Sequence, residues 1–147
     1  MNLKIKSLKT WNSPDGGGFE CDLFVDDVKS AHVYNGGHGG PNDYRWTSSV
    51  IEETVAKFVR TVPKRKAYGS MLNVSLDWLV DEAINAFTKA REDAKILKRC
   101  LTETLFRTAK QGPDAYSRIK LPFTPEVRAL CVAKYGAVEF LNETLAK

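Results

Sequence analysis

Residues 33–46 concentrate the residue types that could bind a ligand. Four of the ten glycines of the chain fall within five positions of this segment, two on either side of His38. Backbone without Cβ atoms lets a ligand approach closely, and successive glycine N–H groups can form a concave anion-binding nest. Side-chain donors and aromatic rings follow directly, which predicts recognition of a phosphate-like anion. The candidate ligand-binding residues of this segment are Gly36, Gly37, His38, Gly39, Asn42, Tyr44, Arg45 and Trp46.

The glycine segment matches no familiar nucleotide-binding template. Gly36 to Gly40 fits neither the Gly-x-Gly-x-x-Gly pattern nor the Gly-x-x-x-x-Gly-Lys-Ser/Thr pattern. The next predicted helix begins near Ser49, too far downstream to point its N-terminus into the loop. A structural alternative therefore stays open, in which the glycines form a wide turn between two strands and Tyr44 and Trp46 pack in the core.

A second candidate site is the basic stretch from Lys89 to Lys110, which has seven Lys and Arg residues against three Asp and Glu. Lys95, Lys98 and Arg99 lie on neighbouring helical turns, and Arg107 follows closely. Such a cluster can bind phosphate through charge-assisted hydrogen bonds. The alternative is a solvated helix face, since Glu92 is spaced for an ion pair with Lys95.

Catalytic and metal-binding patterns are weak. The three cysteines are widely spaced and the two histidines are six residues apart, which does not fit a zinc site. There is no Gly-x-Ser-x-Gly nucleophile elbow. We therefore expect no metal and no cofactor, and we favour a non-catalytic protein over an enzyme. A hydrolase or nuclease built on His38 and nearby carboxylates is the enzymatic alternative.

The elements that carry these candidates predict an α+β fold. Residues 1–46 show strand-like alternation broken by turns, with a slip between Ile5 and Leu8 that indicates a bulge. Ser49 and Glu52 form a predicted capping box for a helix that stops at Pro63.

The second part of the chain is predicted to be mainly helical. Apolar residues recur at alternating spacings of four and three from Leu76 to Leu101, which predicts a long central helix over residues 75–101, with a dimer seam as the second choice. Residues 104–121 are predicted to form a hairpin that joins the N-terminal sheet and packs on this helix. Thr124 and Gly136 delimit a further helix, and residues 138–146 a last short one.

Length and composition indicate one ordered domain covering residues 1–147, since hydrophobic content is 43% and charged content 27%. Residues 1–62 contain seven Lys and Arg against eight Asp and Glu, whereas residues 63–147 contain fifteen against ten. This excess favours an acidic partner. No run approaches the roughly 20 apolar residues of a membrane span, and the odd number of cysteines favours a reducing cytoplasm.

Five segments together resemble a family of small uncharacterised proteins encoded by bacteria, phages and mobile elements. They are residues 16–19, 21–27, 35–42, 97–107 and 134–136. The resemblance implies a protein that works by binding in the host cytoplasm, such as a counter-defence inhibitor or a trap for nucleotide signals, but it carries no residue roles.

The combined prediction is a non-catalytic binding protein that recognises a nucleotide or nucleic acid through the glycine loop together with Lys95, Lys98, Arg99 and Arg107. The alternative is a protein–protein inhibitor or adaptor acting on a host or defence protein, with Tyr44 and Trp46 as interface anchors. A homo-oligomer through helix 75–101 is also compatible with the sequence.

Overall fold

The computed structural model describes residues 1–145. The strands are β1 Leu3–Ser13, β2 Gly16–Val25, β3 Val28–Asn35, β4 Asp43–Trp46, β5 Arg65–Ala67, β6 Ser70–Leu72, β7 Thr104–Thr108, β8 Ser117–Ile119 and β9 Val138–Phe140. The helices are α1 Ser49–Thr61, α2 Leu76–Cys100, α3 Pro125–Tyr135 and α4 Leu141–Thr144. The predicted α+β class is confirmed.

The chain divides into two compact units. Unit 1 covers Met1–Thr88 and unit 2 begins at Lys89, so the boundary falls within α2. Compact units of this kind need not unfold independently. The prediction of a single domain therefore stays a prediction.

Unit 1 is built on a four-stranded antiparallel sheet in the order β1-β2-β3-β4. The β2–β3 hairpin turns at Asp26 and Asp27, both of which have positive φ (46° and 67°), as a tight twisted hairpin requires. The predicted bulge is present, because the β1–β2 register shifts between Lys6 and Lys9 around Ser7, whose φ is 56°.

The core of unit 1 lies on one face of this sheet. Leu23, Ala31 and Val33 are fully buried there, and Val80 from the first part of α2 packs against them. The alternation of the strands places these residues on a single face. Phe87 extends the same stripe of α2 onto the cluster.

The two unit 1 helices begin at serine caps. α1 is capped by Ser48, whose Oγ accepts the Val50 N–H at 3.2 Å, so the predicted cap at Ser49 is wrong by one residue. Ser75 caps α2, with its Oγ accepting the Trp78 N–H at 3.1 Å. Between them the strands β5 and β6 form a short hairpin in a segment whose sequence predicts only an irregular connector.

Unit 2 contains a separate three-stranded sheet in the order β8-β7-β9. The hairpin predicted over residues 104–121 is present as β7 and β8, but its placement in the N-terminal sheet is wrong. The reason is that β7 pairs with β8 on one edge and with β9 on the other. Phe106 and Phe140 face each other across that second pairing and, with Cys131, form the core of the unit.

The strand β9 also corrects the prediction for residues 138–146. The segment is a strand followed by the four-residue helix α4, and position 146 lies outside the described residues. A three-residue strand is too short for alternation to distinguish it from a helical turn. The caps of α3 are as predicted, since Thr124 accepts the Val127 N–H and Gly136 ends the helix with φ of 77°.

The apolar seam of α2 changes character along the helix. Val80 is fully buried, whereas Leu97 is 38% and Leu101 80% exposed. Oligomerisation through this seam stays a prediction. Within residues 1–145 no helix combines the length and apolarity that crossing a bilayer would require.

Candidate functional site

The glycine loop connects β3 to β4, as the structural alternative for this segment expected. Its central residue, Gly37, is buried and has φ of 80°. A Cβ there would lie 2.7 Å from the Gly18 nitrogen and 2.9 Å from the Gly17 carbonyl carbon. Glycine is therefore required at position 37 both by the dihedral and by close backbone approach. Gly39 differs, since its φ is 75° but a Cβ would meet nothing within 4 Å.

One donor of the predicted anion nest, the Gly37 N–H, already has an internal partner. The Gly37 N–H donates to Asn35 Oδ1 at 2.8 Å, and its carbonyl accepts from Ser13 Oγ at 2.7 Å. The Asn35 amide nitrogen donates to Asn42 Oδ1 at 2.8 Å. These bonds fix the loop from within, which is the ordinary way to satisfy turn backbone.

The end of the loop is attached to α2 through a carboxylate. Tyr44 donates its hydroxyl to Asp77 Oδ1 at 2.6 Å, and the Asn42 amide nitrogen donates to that hydroxyl at 3.3 Å. Burial, followed by the bond to Asp77, raises the pKa of Tyr44 far above its ordinary value. Burial, followed by the charge of Asp77, also raises the pKa of Asp81.

Tyr44 and Trp46 are half-buried and stack on each other with ring centroids 5.7 Å apart. Both pack against the unit 1 core. They also line an open groove of about 340 Å³ together with residues of α1 and the start of α2. This groove, which we call the aromatic groove, is lined by Tyr44, Trp46, Glu52, Ala56, Val59, Arg60 and Leu76.

The other two polar loop candidates lie at the surface. The His38 Nδ1 atom is 3.2 Å from Asp15 Oδ2, and both side chains are more than two-thirds exposed. Such a pair is strongly solvated and contributes little energy. Arg45 is exposed and pairs with His32 in the β3–β4 register, so the alternation places it on the sheet face opposite the core.

That opposite face carries an aromatic pair that the sequence reasoning missed. The Trp11 ring lies over Gly18 and sits 5.6 Å from the Tyr34 ring, which is 41% exposed. The signal was present in the sequence, because Tyr34 alternates with the buried Val33 and must point away from the core. The position of Trp11 depends on the bulge at Ser7, which reverses the alternation after it.

In unit 2, three of the four predicted cations line one groove of about 480 Å³ at the end of α2. We call it the cationic groove; it is lined by Lys95, Lys98, Arg99, Leu101 and Thr102. Lys95 pairs with Glu92 at 3.1 Å, and Arg99 donates to the Tyr116 hydroxyl at 2.7 Å. Within residues 1–145 Lys98 takes part in no ion pair. Among the described residues, no carboxylate belongs to this lining.

Arg107, the fourth predicted cation, has a structural role. Its Nε donates to the Ala115 carbonyl at 3.1 Å, its Nη2 donates to the Pro113 carbonyl, and its Nη1 pairs with Glu139 at 2.9 Å. These bonds hold the β7–β8 turn against β9. Three of the five N–H groups of this guanidinium are therefore committed to structural partners.

The positive charge of the chain belongs to unit 2. From Lys89 onward there are twelve Lys and Arg against seven Asp and Glu, whereas unit 1 has ten against eleven. Lys98 and Arg99 lie in the last turn of α2, where cations also interact favourably with the helix dipole. The helix dipole accounts for the presence of Lys98 and Arg99 in this turn, but it does not account for the groove that their side chains line.

The cysteines and acidic residues offer no metal site within the described part of the chain. No group of three or more His, Cys, Asp or Glu side chains is close enough to hold an ion. Cys21 and Cys131 are buried free thiols. Burial raises the pKa of Cys21 to about 11 and also raises the pKa of Cys100 and Cys131, so all three thiols stay protonated near neutral pH.

Comparison with known proteins yields no relative that assigns a function. No family model matches the chain, and no curated protein and no solved structure matches it significantly. The resemblance to small phage and mobile-element proteins stays a prediction. The assignment of one ligand to the loop and the cationic groove together also stays a prediction.

Proposed function

We propose that this protein is a non-catalytic binding protein that recognises a phosphate-bearing ligand, a nucleotide or nucleic acid, through the cationic groove of unit 2. The observation that carries the proposal is that Lys95, Lys98 and Arg99 line one open groove without a carboxylate in its lining. Clustered cations of this kind bind phosphate by charge-assisted hydrogen bonds. The counter-defence role rests on the sequence resemblance alone.

The charge of unit 2 supports this choice over the glycine loop. The loop uses the Gly37 N–H and the Asn42 amide internally, whereas the Lys98 ammonium has no ion-pair partner among residues 1–145. For a ligand phosphate at Lys98 there is therefore no carboxylate of residues 1–145 to displace from the ammonium. The excess positive charge of unit 2 would also attract a polyanion.

The test is binding of a fluorescein-labelled single-stranded oligonucleotide and of a fluorescent adenine nucleotide, measured by anisotropy over a salt series. We expect Lys98→Ala combined with Arg99→Ala to reduce the oligonucleotide salt slope by about 1.4, the value for two lost phosphate contacts. Circular dichroism of the double variant checks that the loss of the Arg99–Tyr116 bond leaves the fold intact.

The matched control is Lys110→Ala combined with Lys134→Ala, which removes the same charge from unit 2 outside the groove lining. If both double variants weaken binding equally, the attraction is non-specific and the groove is not the site. Salt-independent binding, or no binding of either probe, would contradict the proposal outright.

A second candidate function is a protein–protein inhibitor or adaptor, and the aromatic groove of unit 1 favours it. Tyr and Trp are frequent energetic centres of interfaces, and here a stacked pair lines an open apolar groove. Ala56→Gln would fill this groove from α1 without removing a core side chain. Thr54→Gln on the exposed part of the same helix is the control. This function predicts that a host protein stays bound to the chain in the presence of nuclease and high salt. Ala56→Gln should abolish that binding, and Thr54→Gln should not.

A further inference from the structure

The cationic groove shares two residues with an apolar groove of about 500 Å³ in the same unit. Lys98 and Leu101 line both, and the apolar groove continues over Leu97, Pro122 and Phe123. Its volume falls within the range typical of small-molecule sites. A ligand held at Lys98 would therefore have apolar side chains beside it.

Apart from Lys98, the polar side chains that line the apolar groove within residues 1–145 are already bonded or uncharged. Asn142 lines it, but its Oδ1 accepts the Leu105 N–H at 2.8 Å and its Nδ2 donates to the carbonyls of Cys100 and Glu103 at 3.1 and 2.9 Å. The Cys100 thiol stays neutral because burial raises its pKa. Whatever lies in this groove is recognised by apolar contact, with little discrimination by hydrogen bonds.

The two exposed leucines of the apolar groove provide the driving force for apolar contact with a ligand. Leu101 is 80% exposed and Leu97 38% exposed, although both belong to the apolar seam of α2. An apolar group laid over them would remove hydrophobic surface from water. Phosphate alone cannot do this, because it reaches only the cations.

We infer that the ligand of unit 2 is a phosphate monoester with an apolar or aromatic organic group, the phosphate at Lys98 and the organic group in the apolar groove. The inference rests on the proposed function and narrows it to a ligand class. Two sources share this chemistry. In a nucleotide the face of the base would occupy the groove, and in an alkyl phosphate the hydrocarbon chain would occupy it.

The experiment is isothermal titration calorimetry of the full chain with inorganic phosphate, adenosine monophosphate and octyl phosphate, the last below its micelle concentration. We expect at least one of the two esters to bind about tenfold or more tightly than inorganic phosphate, a difference of about 1.4 kcal/mol. A preference for adenosine monophosphate identifies a nucleotide ligand, and a preference for octyl phosphate identifies an aliphatic one.

Leu101→Ser isolates the apolar contact. It should weaken binding of the preferred ester and change the affinity for inorganic phosphate much less, because the Leu101 side chain borders both grooves but makes only apolar contact. The control is Leu130→Ser, since Leu130 is 68% exposed on α3 and does not line the groove. Both positions are at the surface, so neither substitution should impair folding.

Two results would separate the failure of this inference from that of the proposed function. If the esters bind no more tightly than inorganic phosphate, or if Leu101→Ser changes nothing, the ligand class is wrong, while salt-sensitive binding that depends on Lys98 and Arg99 still supports the proposed function. If neither these compounds nor the oligonucleotide binds, both proposals fail.

Discussion

Unit 1 and unit 2 balance their charged side chains in different ways. The charged face of the unit 1 sheet is largely neutralised by pairing, as in Lys9 with Glu20 at 2.7 Å and Lys29 with Asp22 at 2.9 Å. Unit 2 has five more positive than negative residues and exposes apolar side chains such as Leu101 at the end of α2. Surfaces that combine unpaired charge with exposed apolar groups are more informative about binding than surfaces whose charges are paired.

The glycine loop of unit 1 and the cationic groove of unit 2 also differ in how far packing accounts for their residues. The loop is the most conspicuous segment of the sequence, yet the structure accounts for Gly37 by close packing against Gly17 and Gly18. The cationic groove has a weaker sequence signature, a basic stretch of ordinary lysines and arginines. The unusual glycine content of the loop therefore indicates a packing constraint at position 37 more directly than it indicates a binding site.

The largest expected effect tests whether the loop is a packed part of unit 1. Gly37→Ala places a Cβ against backbone atoms at a positive φ, so we expect it to lower the free energy of unfolding by about 3 kcal/mol. Gly39→Ala, which meets only the unfavourable dihedral, should cost about 1 kcal/mol. Urea unfolding followed by tryptophan fluorescence measures both, and equal losses would mean that the loop does not pack as described.

An intermediate effect tests whether the basic cluster of unit 2 contains both a structural cation, Arg107, and a cation without a structural role, Lys98. Arg107→Gln breaks the bonds to the carbonyls of Pro113 and Ala115 and the pair with Glu139, and should cost about 2 kcal/mol of unfolding free energy. Lys98→Gln should stay within about 0.5 kcal/mol, as is usual for an exposed position. Chemical denaturation distinguishes them. A large loss for Lys98→Gln would show that this side chain is structural too and would remove the contrast between the two cations.

The smallest effect tests the buried phenol of unit 1. Because the folded-state pKa of Tyr44 is raised, the folded chain retains a proton that the unfolded chain releases above the ordinary tyrosine value of 10.0. The stabilising contribution is present below that pH and is lost as pH rises beyond it, at up to about 1.4 kcal/mol per pH unit. The unfolding free energy of the native chain minus that of Tyr44→Phe should decline over this range. A difference independent of pH would show that Tyr44 titrates normally.

Much of the fold could be predicted where one local rule acts alone. The turn at Asp26 and Asp27, the caps at Ser75 and Thr124 and the span of α2 each follow from neighbouring residues. Among the three-residue strands, β8 was predicted as half of the 104–121 hairpin, whereas β5, β6 and β9 are too short to show alternation. Missing β9 also led to the wrong sheet for β7.

The candidate site was less predictable because hydrogen-bond commitments depend on tertiary contacts. The sequence shows that Arg107 is a cation, but not that two carbonyls of a turn and Glu139 engage it. Similarly, the Asn35 side chain occupies the Gly37 N–H, which an isolated glycine run would leave open. Residue types define which groups could bind a ligand, whereas the fold decides which of them are still available.

The bulge in β1 affects how copies of this chain can associate with one another. β1 is the outermost strand of its four-stranded sheet, and an uninterrupted outer strand offers a row of backbone groups on which another chain can add as a strand. Ser7, with φ of 56°, interrupts that row midway, and the adjacent Lys6 adds a positive charge that no carboxylate within residues 1–145 pairs. Edge-to-edge pairing of sheets from different molecules, the first step of fibril growth, is therefore opposed at β1 by the bulge and by charge repulsion.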